Sequence, residues 1–219
     1  MSEPSDADRA HAFGQVHSAS AVDRLGIRLS GRRIRRAVRD FSGKRVGDFG
    51  CGYHASFVRS VLGRIERAVL VDIALAPDLL AHPKVRGIEG QLPGVLDEVE
   101  SASLDVVLCI SVLEHLWDPG TALRHIRRVL APSGVALINV PSWRGKRFLE
   151  FSAFRLGLSP AEEMDDHKAY YDPRDLWPLL VQAGFQPHGI QCLRHKFGLN
   201  TFATCRVDRG MSGGGANGI

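Results

Sequence analysis

The chain has 219 residues, of which 44% are hydrophobic and 24% charged, a size and composition that suit one globular domain with a hydrophobic core. No apolar run approaches the length of a membrane-spanning helix, and the polar N-terminus lacks the apolar segment of a secretory signal, so we expect a cytoplasmic protein. The four cysteines form no C-x-x-C pair, and we expect them to be buried free thiols.

A basic helix is predicted from about residue 19 to residue 41, ahead of the first strand. From Arg24 to Arg45, nine residues are basic and only Asp40 is acidic, which accounts for much of the net charge of +4. Such a surface suits nucleic acid or an anionic substrate. An apolar stripe at roughly helical spacing favours instead a helix that packs on the domain and keeps a solvated basic face, so nucleic acid is not the favoured partner.

Segments with strand and helix patterns alternate from residue 44 to residue 141. Asp118 and Pro119 are typical of the first residues of a helix, and Pro141 is expected to end the fifth strand. The predicted strands are 44–50, 67–73, 84–90, 103–110 and 135–140, and the predicted helices are 55–65, a short one from Pro77, and 119–130. This alternation predicts a mostly parallel α/β sheet with helices on both faces.

The end of the chain departs from strict alternation. Residues 142–170 are predicted to form a lid-like insertion, Asp172 and Pro173 to begin a helix that runs to Ala183, and residues 185–207 to form two antiparallel strands joined by a short link. A closing antiparallel strand would make the sheet mixed. We therefore expect a disordered N-terminus at 1–18, a single domain at 19–208 and a flexible tail at 209–219.

A glycine loop follows the first strand, in the stretch "VGDFGCGYHA" that begins at Val46. Glycines one residue apart before a helix let a nucleotide approach the backbone, and Asp72 ends the second strand where a carboxylate can bind ribose hydroxyls. Both features suit a nicotinamide dinucleotide and S-adenosylmethionine (SAM) equally. Asp48, at the mouth of the first strand, favours SAM, because a carboxylate attracts a sulfonium or ammonium charge and repels a pyrophosphate.

The block from Leu104 to Pro141 carries a more specific signal. It contains "LEHL" at 113–116, "RVLAPSG" at 128–134 and a strand that ends in proline. With the glycine loop, this series resembles the class I SAM-dependent methyltransferases, in the small-molecule group (methyltransferase type 11 domain) related to quinone-biosynthesis enzymes. The resemblance implies a Rossmann-like sheet of seven strands in the order 3-2-1-4-5-7-6, with strand 7 antiparallel.

The resemblance also implies which residues bind SAM. The glycine loop would lie along the methionine part, Asp72 would hold the ribose, and the fourth strand would face the cofactor. Ile88 stands where relatives often carry an acid for the adenine amino group, so Glu89 is expected to take that contact. The implied cofactor residues are Asp48, Gly50, Cys51, Gly52, Asp72, Ile73, Ile88, Glu89, Ile110 and Ser111. Tyr53 and His54 depart from the usual small residues, and we expect their bulk to narrow the entrance or to shape the acceptor site.

Two histidines are candidates for a catalytic base. His115 lies just past the fourth strand beside Glu114, and His167 lies in the polar segment "DDHKAYYDP" after the fifth strand. Each also has a structural interpretation, as a residue that caps a turn or belongs to a solvated loop. Some relatives bind a metal through E-x-x-E-H, but Ser111 replaces the first acid here, so no catalytic metal is predicted.

The acceptor class follows from motifs that the sequence lacks. The place after the fourth strand carries "SVLE" rather than the N-P-P-Y-like motif of base methyltransferases, and Cys109 lies too early to be the nucleophile of an RNA cytosine enzyme. A small-molecule, sugar or lipid-linked acceptor, methylated on oxygen or nitrogen, is therefore favoured. The alternatives are an RNA-directed methyltransferase that uses the basic helix and an NAD-dependent oxidoreductase. The sequence predicts no oligomeric state.

Overall fold

The computed structural model describes residues 11–16, 21–148 and 167–209 of the chain. Its centre is one sheet of seven strands in the order β3-β2-β1-β4-β5-β7-β6. Neighbouring strands from β3 to β5 are parallel, and β7 is antiparallel to both β5 and β6. The predicted strand order and the antiparallel ending are both confirmed. The strands are β1 (Arg45–Phe49), β2 (Arg67–Asp72), β3 (Val85–Glu89), β4 (Leu104–Ile110), β5 (Leu130–Pro141), β6 (Ile190–His195) and β7 (Asn200–Arg206).

Five α-helices connect or flank these strands: α1 (Ala21–Ala37), α2 (Ser56–Arg59), α3 (Pro77–Leu80), α4 (Pro119–Val129) and α5 (Pro173–Gln182). The helix predicted at 55–65 is limited to the single turn of α2, and residues 60–64 continue as turns. The start of α4 is as predicted, because the Asp118 carboxylate accepts a hydrogen bond from the Thr121 amide at 2.9 Å. Residues 143–148 are also helical.

Two hydrophobic cores cover the two faces of the sheet. One lies under α1, α2 and α3 and includes Ile34, Val58 and Leu79. The other lies under α4 and α5 and includes Leu123 and Leu176. Since β2 and β4 are buried on both faces, they are nearly continuous apolar runs rather than alternating ones. The four cysteines are free, as expected, and Cys109 and Cys205 are buried.

The N-terminal turn at residues 11–16 packs against the domain. Residues 11–16, inside the segment expected to be disordered, form a turn in which Ala12 is buried and the Phe13 carbonyl accepts a hydrogen bond from the Tyr53 amide at 2.9 Å. The expected disorder therefore does not extend to this turn. Most of the predicted lid-like insertion, 149–166, lies outside the described residues, as does the tail from residue 210.

Within the described ranges, no helix has both the length and the apolar character needed to cross a membrane.

The core of α4 gives a direct test of this packing. Leu123 is 0% exposed, and we expect Leu123→Ala to lower the free energy of unfolding by about 2–5 kcal/mol, because it removes buried methyl groups and leaves a cavity. Leu25 in α1 is 56% exposed, so Leu25→Ala is the matched control and should cost less than about 1 kcal/mol. Urea denaturation of both variants measures the difference, and equal losses would contradict this assignment of the core.

Candidate active site

The glycine loop lies between the carboxyl ends of β1 and β2. Gly50 and Gly52 both adopt left-handed φ angles, of 75° and 71°, which favour glycine. The Gly50 amide donates to the Val71 carbonyl at 2.7 Å. A Cβ atom on Gly50 would lie 2.2 Å from a methyl group of Val112, so the loop has room only for glycine at this position.

Asp72 holds this loop in place from the end of β2. One carboxylate oxygen accepts a hydrogen bond from the Gly52 amide at 2.7 Å, and the other accepts from the Ile73 amide at 2.8 Å. The carboxylate lines the main cavity beside the loop. Asp72 therefore occupies the position that the sequence predicted for a ribose-binding carboxylate.

Asp48 is a buried acid beside the glycine loop. It is 5% exposed, and burial together with the negative charge of Asp72 raises its pKa to about 8. Burying a carboxylate is costly unless a cation compensates for it. The sulfonium and ammonium groups of SAM would supply that positive charge, whereas a pyrophosphate would add more negative charge, so the acids of this site fit SAM.

The predicted adenine contacts are placed differently. Ile88 packs into the hydrophobic core, and the Glu89 carboxylate accepts a hydrogen bond from the Leu75 amide at 2.7 Å. Neither side chain lines the cavity; Ile73 and the loop Gly90-Gln91-Leu92 line it at this end instead. Ile88 thus contributes to the core and Glu89 holds the loop after β2, and their contact with adenine stays a prediction.

The Tyr53–His54 pair contacts the N-terminal turn rather than the cavity. The Tyr53 amide bonds to the Phe13 carbonyl, and a Cβ atom on Gly14 would lie 3.6 Å from the His54 ring. The two rings meet edge to face, with centroids 5.0 Å apart. Phe13 itself lines the cavity, so the N-terminal turn, and neither Tyr53 nor His54, forms this part of the wall.

The cavity has a volume of about 560 Å³ and extends beyond the predicted cofactor residues. Cys51, Ile110 and Ser111 line its cofactor half together with Asp48, Gly50, Gly52, Asp72 and Ile73. The second half is bounded by α1, by the turn after β4, by residues 141–148 and by residues 167–168. Its lining residues include Asp23, Gly26, Ser30, His115, Trp117, Phe148, His167, Lys168 and Lys196.

The two candidate histidines are brought together in this second half. Their rings lie with centroids 4.8 Å apart, and His167 Nδ1 lies 3.3 Å from the Tyr170 hydroxyl. The segment that carries His167 is tied to the turn after β4, because the Lys168 amide donates to the Glu114 carbonyl at 2.7 Å. The structure therefore brings two imidazoles together beside the cofactor half, where their role as bases stays a prediction.

Glu114 joins the histidines in a group that sequence reasoning did not assemble. Its carboxyl group is 1% exposed, and one atom from each of Glu114, His115 and His167 lies within 4.8 Å of the others. The third donor that the sequence found missing at Ser111 thus comes from a distant segment, and the three side chains lie close enough together to be candidate metal ligands.

Lys196 is the functional candidate that the sequence missed most completely. It follows β6, and both Lys196 and Phe197 adopt left-handed φ angles, of 48° and 59°, which are uncommon for residues other than glycine. The only local signal was Gly198 and Asn200 in a short link between strands. That signal predicts a turn and gives no hint that Lys196 reaches the cavity.

Comparisons with known proteins show the family of the chain. Residues 19–188 match the family described as "Methyltransferase domain". The chain is 27% identical over 178 residues to a ubiquinone biosynthesis O-methyltransferase of Neisseria meningitidis, covering 76% of this chain and 74% of that protein. It is 28% identical over 163 residues to a "probable S-adenosylmethionine-dependent methyltransferase" of Mycolicibacterium smegmatis, covering 72% of this chain but only 58% of that relative's length.

Solved structures show the same fold at lower identity. The Burkholderia thailandensis 1,6-didemethyltoxoflavin-N1-methyltransferase, bound to S-adenosylhomocysteine, superposes with a TM-score of 0.61 at 20% identity, over 85% of this chain and 80% of that one. A SAM-dependent methyltransferase of Archaeoglobus fulgidus superposes with a TM-score of 0.59 at 18% identity, over 82% and 93%. The chain belongs to the methyltransferase domain family, within the SAM-dependent class.

Gly50 provides a test of the loop. We expect Gly50→Ala to weaken binding of S-adenosylhomocysteine by at least about tenfold, because the methyl group would collide with Val112 and the left-handed φ would be strained. Gly63 is the matched control, since nothing lies within 4 Å of a Cβ atom there. Calorimetric titration of both variants measures the effect, and equal affinities would contradict the loop geometry.

Asp48 provides a test based on pH. Because its pKa in the folded chain, about 8, lies above that of an unfolded aspartate, its contribution to stability is lost as the pH rises from about 4 through 8. Without ligand, Asp48→Asn should therefore melt at a higher temperature than the natural chain at pH 8.5, by a margin that shrinks toward pH 5. Adding SAM should stabilise the natural chain more than the variant at pH 8.5. A margin that does not vary with pH would refute the buried carboxylate.

Proposed function

We propose that the chain transfers a methyl group from SAM to an oxygen or nitrogen atom of a small-molecule, sugar or lipid-linked acceptor. The observation that carries this proposal is the continuity of one cavity, in which a half that fits SAM opens into a half lined by His115 and His167. A volume of about 560 Å³ lies in the usual range of small-molecule sites. The names of the relatives support the same class, since one acts in ubiquinone biosynthesis as an O-methyltransferase and one methylates N1 of didemethyltoxoflavin.

The residues of the first half would hold and orient the cofactor. In this proposal Asp48 compensates the positive charge near the methionine end, Asp72 accepts from the ribose hydroxyls, and the loop backbone of Gly50 and Gly52 lies along the methionine part. SAM, when bound, supplies a methyl carbon that is already activated by the sulfonium. The contribution of the protein is alignment and exclusion of water, and alignment alone can lower a barrier substantially.

The residues of the second half would handle the proton of the acceptor. A hydroxyl must lose its proton as its oxygen bonds to carbon, and a protonated amine must lose one before its nitrogen can bond. His115 is the base in this proposal, and His167 and the Tyr170 hydroxyl, 3.3 Å from its Nδ1, continue the path. Glu114, buried beside them, stabilises the imidazolium that forms.

We further propose that this group works through protons and without a metal ion. Ser111 stands where the metal-binding relatives carry the first acid, although Glu114, His115 and His167 lie close enough together to be candidate ligands. Activity that survives treatment with EDTA is the expected result, and activity restored only by a divalent cation would overturn this part of the proposal.

The experiment that tests the function is a screen with methyl-labelled SAM against cell extracts separated into small-molecule, lipid and RNA fractions. Label in the first two supports the proposal. Calorimetric titrations with S-adenosylhomocysteine and with NAD accompany the screen. Binding of NAD without binding of S-adenosylhomocysteine would favour the oxidoreductase alternative. Label confined to RNA would favour the alternative acceptor.

One observation favours that RNA alternative. A second cavity, of about 630 Å³, lies between α1 and the β6–β7 edge and is lined by Arg33, Arg36, Arg39 and Arg206. Arginines on one face suit a phosphate backbone. Part of the basic surface is engaged within the domain, however, because Arg33 lies over the Phe202 ring and Arg35 over the Phe57 ring. Since none of these arginines lines the first cavity, the small-molecule acceptor remains the better-supported proposal.

Variants of the two histidines test the assignment of the base. With an acceptor from the screen, His115→Gln should lower kcat about 100-fold or more, and His167→Gln should lower it less, while affinity for S-adenosylhomocysteine stays within about twofold. His82, which accepts a hydrogen bond from the Lys84 amide away from the cavity, supplies the control His82→Gln. Parallel losses of kcat and cofactor affinity would indicate that the histidines have only a structural role.

A further inference from the structure

The acceptor half of the cavity is lined by apolar, acidic and basic side chains, and Lys196 is one of the basic ones. Lys196 lines the cavity and is half-buried. Its ammonium makes no hydrogen bond or ion pair within the described part of the chain. An ammonium in this position is a costly feature unless a ligand uses it.

The backbone and the opposite helix both accommodate this side chain. Lys196 and Phe197 hold consecutive left-handed conformations, a strained arrangement that tends to occur at functional sites. On α1, a Cβ atom at Gly26 would lie 3.5 Å from Lys196 Nζ. Glycine inside a helix is unfavourable, and at this position it leaves open space next to the ammonium.

A second polar group faces the same space. Ser30 lies one helical turn after Gly26 on the same face of α1 and also lines the cavity. It is buried, and its hydroxyl has no hydrogen-bond partner among the residues that the structure describes. Ser30 and Lys196 therefore line the same cavity, and the Ser30 hydroxyl is a buried donor beside it.

The acids nearby do not fully compensate this cation. The charges of Glu114 and Asp23 act to raise the pKa of Lys196, but burial outweighs them and the pKa is lowered. Lys168, the other lysine of this wall, lies over the Trp117 ring with its Nζ 4.8 Å from the ring centroid. Burial, and not repulsion from another cation, therefore makes the charged form of Lys196 costly.

We infer that Lys196 and Ser30 bind an anionic group of the acceptor, a carboxylate or a phosphate, and so select acceptors that carry one. The inference rests on the proposed function, because it concerns the acceptor half of the same cavity. A carboxylate or phosphate oxygen accepts hydrogen bonds from both an ammonium and a hydroxyl, and a charge-assisted pair in a partly desolvated site is stronger than one in water. A neutral acceptor would leave the ammonium uncompensated, which is the physical basis of the selection.

The test measures binding of simple anions rather than turnover. The full chain, saturated with S-adenosylhomocysteine, is titrated with benzoate, phenyl phosphate and neutral benzamide by calorimetry. At least one of the two anions should bind more tightly than benzamide, and the difference between the two anions identifies the group. Lys196→Met should weaken binding of that anion at least tenfold and leave benzamide and S-adenosylhomocysteine unchanged, and Ser30→Ala should weaken it several-fold.

Two further variants keep the result interpretable. Lys196→Arg retains the charge and should retain the preference for the anion. Lys44→Met removes an exposed lysine elsewhere and should change nothing. An equal affinity for anionic and neutral probes at millimolar concentration, or a preference that survives Lys196→Met, overturns the inference. Failure to bind S-adenosylhomocysteine would instead count against the methyltransferase proposal. In that case the anion titration is carried out on the chain without S-adenosylhomocysteine, and its result still tests the role of Lys196.

Discussion

The carboxylate of Asp72 is the point on which the site depends. By accepting hydrogen bonds from the Gly52 and Ile73 amides, it joins the loop after β1 to the loop after β2. Two amides that would otherwise face a cavity unsatisfied are paired, and the carboxylate is held with its remaining lone pairs toward that cavity. The parallel order of β2, β1 and β4 makes this possible, because it brings the carboxyl ends of three strands to one edge of the sheet.

The order of strands and the cofactor end could be predicted because their signals are local. Each strand is a short apolar run, each loop has its own glycine or proline, and Asp48 and Asp72 stand at strand ends where the topology alone determines their position. His115 and His167 were found for the same reason: both follow strands whose carboxyl ends meet. Their proximity required only the order of β4 and β5, although the 4.8 Å between their ring centroids required the structure.

The residues that the sequence missed are determined by contacts between distant segments. Glu89 was expected at the adenine, but its carboxylate is used by the Leu75 amide, a contact that depends on how the loop after β2 folds back. Lys196 reaches the cavity because two left-handed residues turn it toward α1, opposite a glycine 170 positions earlier in the chain (196 − 26). No periodicity or motif predicts that Lys196 and Gly26 meet, because the local sequence around each residue has no distinctive pattern.

The contact between Phe13 and the glycine loop has a practical consequence. The Tyr53 amide at the start of α2 is already bonded to the chain's own backbone, and the Phe13 ring forms part of the wall beside Gly52. A polar N-terminal stretch of this kind is often removed when a protein is prepared for crystallisation. Shortening this chain to residue 19 would expose the Tyr53 amide and strip one side of the cofactor entrance, so a loss of cofactor affinity in the shortened protein would reflect the missing wall and not a defect in the sheet.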